Sequence, residues 1–187
     1  MRLVLMGPPG AGKGTQAKVL CEYLKVPHIS TGDLFRANSR AGSELGLAAA
    51  AFLEGGEYVP DTITNEMVRE RLQRPDAAAG FLLDGYPRTL AQVAALDAML
   101  AELGLALDLV VELVAETDAV VARLLRRADE QGRADDTEEV IRRRLQVYSE
   151  QTSPLAGQYR ARGLLVEIDA LGSVDVVRNR LFAAVRP

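Results

Sequence analysis

Along the chain the apolar residues keep two rhythms. Short, mainly apolar runs occupy residues 3–6, 26–29, 81–84, 107–114 and 164–168. Between them, apolar positions recur every three or four residues. Val93, Leu96, Met99, Leu100 and Leu103 do so in one segment, Val120, Val121, Leu124 and Leu125 in a second, and Ile141, Leu145 and Tyr148 in a third. The first rhythm predicts strands and the second amphipathic helices. Residues 107–114 are almost continuously apolar, as expected of a strand covered by helices on both faces. Strand and helix alternate, which predicts an α/β fold with a five-stranded parallel sheet.

The polar punctuation refines this pattern. Ser30 and Thr31 precede an apolar-periodic run and read as a helix cap. Residues 37–53 predict two short helices broken near Gly42 and ending at Glu54-Gly55-Gly56. After a link over 57–61, Asp61 or Thr62 is placed to cap a helix running to about Leu72. Residues 31–60 are thus all helix and turn between two α/β units, the pattern of an inserted helical subdomain. Arg88 or Thr89 starts the next helix, Thr137 caps a later one after a short polar stretch over 128–136, and Pro154 marks a bend. A final amphipathic helix spans 173–185.

Composition narrows the function classes. A chain of 187 residues suits one core with small inserted subdomains, and 48% apolar with 26% charged residues is ordinary for a soluble globular protein. No apolar run approaches the ~18 residues of a membrane span, and the N-terminus carries no secretory pattern, so a cytoplasmic protein without a membrane partner is expected. Cys21, the single cysteine, allows no internal disulfide and no cysteine-based zinc cluster. A net charge of −4 argues against a nucleic-acid partner.

The densest chemistry lies at the start. A predicted strand, the turn Gly7-Pro8-Pro9-Gly10-Ala11-Gly12-Lys13-Gly14-Thr15 and a helical segment follow one another, the order a phosphate-binding loop requires. Successive backbone N–H groups and the helix N-terminus would cradle an anion, with Lys13 reaching the terminal phosphates. Gly14 stands where the common pattern has Ser or Thr, and the hydroxyl arrives one place later on Thr15. Ligands of open α/β sheets bind beyond the strands' carboxyl ends, so Asp84 and Arg88, at the end of 81–84 and in the turn after it, should face the same crevice. Asp84 suits control of a magnesium ion through water. Arginines at 36, 88, 123, 127, 133 and 144 fall beside predicted crevices, where their forks suit phosphate oxygens. Arg142 and Arg143 read instead as partners of nearby acids, and His28 as structural. No Ser-His-Asp or Cys-His set suggests an activated nucleophile.

From its first residue to the last helix the chain resembles the adenylate kinase family, whose members convert ATP and AMP to two ADP. The resemblance rests on the loop through Gln16, on Ser30-Thr31-Gly32-Asp33-Leu34-Phe35-Arg36, on Asp84-Gly85-Tyr86-Pro87-Arg88-Thr89 and on Gly132-Arg133-Ala134-Asp135-Asp136. The Gly-Lys-Gly-Thr form of the loop is the family's own. The resemblance implies a P-loop NTPase fold with a core over 1–29, 60–126 and 138–187, an AMP-binding insert over 30–59 and a short lid over 127–137. It assigns Gly10, Ala11, Gly12, Lys13, Gly14, Thr15, Arg123, Arg127 and Gly172 to ATP. To AMP it assigns Thr31, Arg36, Glu57, Tyr58, Val59, Gly85, Tyr86, Pro87, Arg88, Gln92, Arg133 and Arg144. Lys13, Arg88, Arg123, Arg133 and Arg144 are the expected catalytic charges, with Mg2+ accompanying ATP. Longer members of the family carry a lid that sometimes holds zinc. The corresponding segment here has neither cysteine nor histidine, so no structural zinc is expected. Family members of the short-lid kind are usually monomers, so the resemblance implies a monomer. The alternatives are a UMP/CMP kinase of the same fold, against which Thr31 and Gln92 speak, and a nucleotide-binding switch without kinase activity.

Overall fold

In β1 (Arg2–Met6), Leu3 and Leu5 point to one face of the sheet and Val4 and Met6 to the other, and all four are buried. That double burial places β1 at the centre. The computed structural model describes residues 1–131 and 137–185 and arranges five parallel strands in the order β2-β3-β1-β4-β5. On one side β1 pairs with β3 (Phe81–Asp84), Leu5 opposite Asp84, and β3 with β2 (His28–Ser30). On the other it pairs with β4 (Leu109–Val114), Met6 opposite Glu112, and β4 with β5 (Leu165–Asp169). Because the chain leaves β1 to build first one side and then the other, the carboxyl end of β1 opens into a crevice.

Helices cover both faces, as the apolar run of β4 demanded. Leu3, Leu5, Leu82, Val111 and Leu113 pack against α1 (Lys13–Leu24) and α9 (Val174–Ala184) through Ala17, Leu20, Val177 and Leu181. Val4, Leu83 and Val110 pack on the opposite face with Val68 of α4 (Asp61–Leu72), Leu96 of α5 (Leu90–Glu102) and Tyr159 of α8 (Leu155–Ala161). Between β2 and α4 lie α2 (Thr31–Arg40) and α3 (Glu44–Glu54). They cross closely at Gly46, where a Cβ would stand 2.2 Å from the Asn38 carbonyl carbon. Phe35, Ala49, Val59 and Met67 form a small core of their own there. Two further helices, α6 (Thr117–Gln131) and α7 (Glu138–Val147), pack through Val120, Leu124 and Ile141. No described helix is long and apolar enough to cross a membrane.

Several boundaries differ from the sequence pattern. The run over 107–114 enters the sheet only at Leu109, and the run over 26–29 only at His28. Helix α6 continues to Gln131 because Ala128, Asp129, Glu130 and Gln131 include no helix breaker. Pro60 stands at the start of α4 with no side-chain cap, so neither Asp61 nor Thr62 caps it. Ser30, Thr89, Thr137 and Ser173 do accept hydrogen bonds from the first turns of their helices. The bend at Pro154 is followed by α8 and preceded by a short π-helical turn, Tyr148–Thr152.

Candidate active site

Above the end of β1 the loop over 7–12 curls back on itself, with the Ala11 amide donating to the Pro8 carbonyl at 3.1 Å. Gly10 and Gly12 hold φ of +84° and +91°, a region that favours glycine. The two serve different needs. A Cβ on Gly10 would lie 2.8 Å from Leu124 Cγ and 3.0 Å from the Val120 carbonyl oxygen, so this glycine lets α6 pack against the loop. Among the described residues nothing stands within 4 Å of a Cβ on Gly12, which leaves room there for a ligand. The first turn of α1 carries no acidic residue of its own and no side-chain cap, so its N–H groups and dipole favour an anion there. Lys13 Nζ donates to the carbonyls of Gly7 at 2.7 Å and Pro8 at 2.9 Å, which anchors the ammonium at the loop's inner rim. Gly14 and Thr15 are exposed, whereas Ala11 is buried beneath the loop.

Asp84 ends β3 on the same crevice, its carboxylate 4.0 Å from the place of a Gly14 Cβ. His28 Nε2 lies 3.3 Å from Asp84 Oδ2, a pairing made by two strands that the sequence separates by more than fifty residues. Among the described residues no group of three His, Cys, Asp or Glu side chains could hold a metal ion by itself. Asp84 and Thr15 line the same cleft, and a carboxylate with a hydroxyl suits Mg2+, which keeps most of its waters and takes phosphate oxygens. Cys21, buried on α1, has its thiol pushed up to about 12 by burial and then by the charge of Asp84.

Beyond Asp84 the chain turns through Gly85, Tyr86, Pro87 and Arg88, which all line the cleft. Hydrogen bonds from outside the turn hold it. Thr31 donates its hydroxyl to the Gly85 carbonyl at 2.9 Å. Tyr86 donates to Asn65 at 2.7 Å, and burial raises its phenol well above the usual range. Gln92 accepts from the Arg88 amide at 2.7 Å and donates to Asp61 Oδ1 at 2.6 Å, while Thr89 donates to Asp61 Oδ2 at 2.8 Å. Asp61, read from sequence as a cap, is instead the anchor of this turn. Thr31, Gln92 and Val59 do not line the cleft here: Thr31 and Gln92 are each 2% exposed, and Val59 belongs to the core around Phe35. Arg88 Nε donates to the Gly85 carbonyl at 2.8 Å, and among the described residues no carboxylate lies within ion-pair distance of it.

The other arginines approach from the remaining sides. Arg36 lines the cleft but folds over Gly32 onto Asp33. Burial pushes the Asp33 carboxyl up, and the hydrogen bond and charge of Arg36 more than reverse this, leaving it below its usual range. Arg123 grips the Ala170 carbonyl with both terminal nitrogens, at 3.2 and 3.1 Å, which ties α6 to the loop carrying Gly172. Gly172 itself, with φ of +120°, lies outside the cleft lining. Arg144 donates to the Leu53 carbonyl at 3.2 Å, and Arg143 meets Glu57 at 2.5 Å, joining α7 to the end of the insert. Arg142 pairs with Glu138 one helical turn away. Arg127 falls on α6; its side chain, like all of Arg133 and the motif over 132–136, lies outside the described residues. The cleft bounded by the loop, the Gly85–Arg88 turn, α2, Glu57, Tyr58, Arg123 and Arg144 has a volume of about 980 Å³.

The model of the family described as adenylate kinase matches residues 5–164, which include the loop, the turn and most of the cleft. The chain belongs to the adenylate kinase family. Curated adenylate kinases resemble it along nearly their whole length. One from a Nocardioides species is 57% identical over 185 residues, covering 99% of this chain and 97% of that protein. One from Thermobifida fusca is 56% identical over 186 residues, 100% and 98%. One from Stenotrophomonas maltophilia is 51% identical over 186 residues, and both chains are fully covered. Family membership accounts for the order of loop, insert and turn. Asn65 and Thr152 carry no signal in the sequence, since their partners lie on other elements, and Asp61 and Thr89 show there only as residues near helix starts.

Proposed function

We propose that ATP binds with its phosphates on the Gly10–Thr15 cradle and AMP with its phosphate against the Gly85–Arg88 turn. The chain is a phosphotransferase that moves the γ-phosphoryl group of ATP to AMP, reversibly, giving two ADP. The observation that carries the assignment of places is Arg88. Its side chain donates to the Gly85 carbonyl rather than to a carboxylate, and it lines the same cleft as the uncapped N-terminus of α1. Two anion sites therefore face each other across one crevice, as two polyphosphate substrates require.

In this reading an oxygen of the AMP phosphate attacks the γ-phosphorus in line. The bond to the β–γ bridging oxygen breaks, and its electron pair leaves with ADP. The attacking oxygen is already ionised near pH 7, so no general base is needed. Lys13 follows the moving phosphoryl group, and Arg88, Arg123, Arg133 and Arg144 spread its charge. Arg123 rests on the Ala170 carbonyl, a partner that a phosphate oxygen can replace at no cost in buried charge, and Lys13 and Arg144 also donate to backbone carbonyls. Asp84 would hold Mg2+ through water with Thr15 beside it, and the ion would neutralise charge on the ATP phosphates. Residues 30–59 act as the AMP-side insert and 127–137 as a short lid on a core of 1–29, 60–126 and 138–187. Arg127 and Gly172 serve the ATP side; Thr31, Val59 and Gln92 serve AMP by shaping the turn and insert. We expect a cytoplasmic monomer without structural zinc. Purified protein offered AMP, UMP, CMP or GMP with Mg-ATP in an ADP-coupled assay tests the substrate: AMP should be used far faster than the others. A preference for UMP or CMP would overturn the AMP assignment, and no turnover of any would overturn kinase action.

A further inference from the structure

Arg88 has a second set of neighbours. Its guanidinium carbon sits 4.8 Å from the centroid of the Tyr58 ring. The Tyr58 hydroxyl is 2.7 Å from Thr152 Oγ1, and Thr152 donates to the Arg88 carbonyl at 2.9 Å. Thr152 has one proton, which goes to that carbonyl, so the Tyr58 hydroxyl must be the donor in the first bond. Thr152 is buried and belongs to the π-helical turn after α7, and Tyr58 comes from the return segment of the insert. Two elements distant in sequence therefore converge on one arginine, fixing its side chain from the ring and its backbone from the hydroxyl chain. An aromatic face and a carbonyl orient a guanidinium without cancelling its charge, whereas a carboxylate would orient it and neutralise it.

We propose that Tyr58 and Thr152 are positioning residues for phosphoryl transfer: they hold the Arg88 fork in plane for the AMP phosphate while leaving its charge available. The inference rests on the assignment of Arg88 to AMP. A small misplacement of such a fork is costly, because the reacting groups must be held close to their in-line geometry.

The test is a set of variants in the full chain, each checked for folding by circular dichroism and assayed for kcat and for KM of both nucleotides. Tyr58→Leu should lower kcat/KM for AMP on the order of tenfold, with KM for ATP within about twofold. Tyr58→Phe, which keeps the ring, should stay within about threefold of the parent. Arg88→Lys should itself lower turnover by about 10²-fold or more, and adding Tyr58→Leu to it should cost less than about twofold further. A Tyr58→Leu enzyme with parental AMP kinetics, or one that loses the same tenfold again in the Arg88→Lys background, overturns the positioning role. A nearly unimpaired Arg88→Lys enzyme overturns the Arg88 assignment itself, and this inference with it. Should Tyr58→Leu fail to fold, Thr152→Val and Tyr58→Phe decide the matter. The two combined should be no worse than Thr152→Val alone, because they cut one hydroxyl chain, and independent additive losses contradict the proposal.

Discussion

Gln92, which the resemblance gives to AMP, holds the Arg88 turn in the structure, and Gln92→Leu tests that role. The side chain is 2% exposed and both ends of its amide are engaged: the oxygen takes the Arg88 N–H at 2.7 Å, and the nitrogen donates to the Asp61 carboxylate at 2.6 Å. Leucine nearly conserves the volume but strands a buried N–H and removes a charge-assisted bond. An unsatisfied buried donor costs about 1–3 kcal/mol, and the bond to a carboxylate about 1.5–3 kcal/mol, part of which water at the half-buried Asp61 returns. A net loss of about 2–4 kcal/mol follows. For a chain of this size that lowers Tm by roughly 5–12 °C. Because the stranded N–H belongs to Arg88, KM for AMP should rise as well, with little change for ATP. Calorimetry and steady-state kinetics on the same preparation check both halves. An unchanged Tm with a raised KM for AMP would refute the reasoning, showing that the amide faces the base of AMP and does not hold the turn.

Other outcomes follow from the same geometry. Lys13→Met keeps the stem and deletes the charge, so kcat should fall by about 10²-fold or more while the circular dichroism spectrum is retained. Gly10→Ala should lower Tm more than Gly12→Ala, since both strain a positive φ but only the first collides with Leu124 and Val120; Gly12→Ala should show its effect in KM for ATP. The Cys21 thiol is raised in the folded protein to about 12, so the unfolded chain ionises first as pH rises. Its contribution to stability is complete at pH 8, declines as pH climbs above the unfolded thiol's ordinary value, and is gone near pH 12. Denaturation midpoints at pH 8 and pH 10 should therefore differ less in Cys21→Ala than in the parent, and equal differences would contradict this environment for the thiol.

How much could be read in advance depended on distance along the chain. The strand of Leu3 to Met6, the loop after it, the caps at Ser30 and Thr137 and the helix starts near Thr89 and Ser173 are local patterns, and each is present. Asp61 failed as a cap because a carboxylate at a helix start looks the same whether it bonds its own backbone or, as here, Thr89 and Gln92 of another helix. Gly10 also lets α6 pack against the loop, a need invisible in the sequence because only the fold brings Val120 and Leu124 there. The His28–Asp84 contact and the tyrosine over Arg88 were illegible for the same reason: parallel strands and an insert juxtapose residues that no short spacing relates.

The most direct measurement is the stoichiometry of the reaction by phosphorus NMR, with purified protein, Mg2+, ATP and AMP in one tube. ATP and AMP should disappear together, with two ADP formed for each pair and no inorganic phosphate on the timescale of turnover, and the same mixture should be reached from ADP alone. Release of phosphate without consumption of AMP, or ATP loss that does not depend on AMP, would contradict a cleft built to carry a phosphoryl group from one nucleotide to the other.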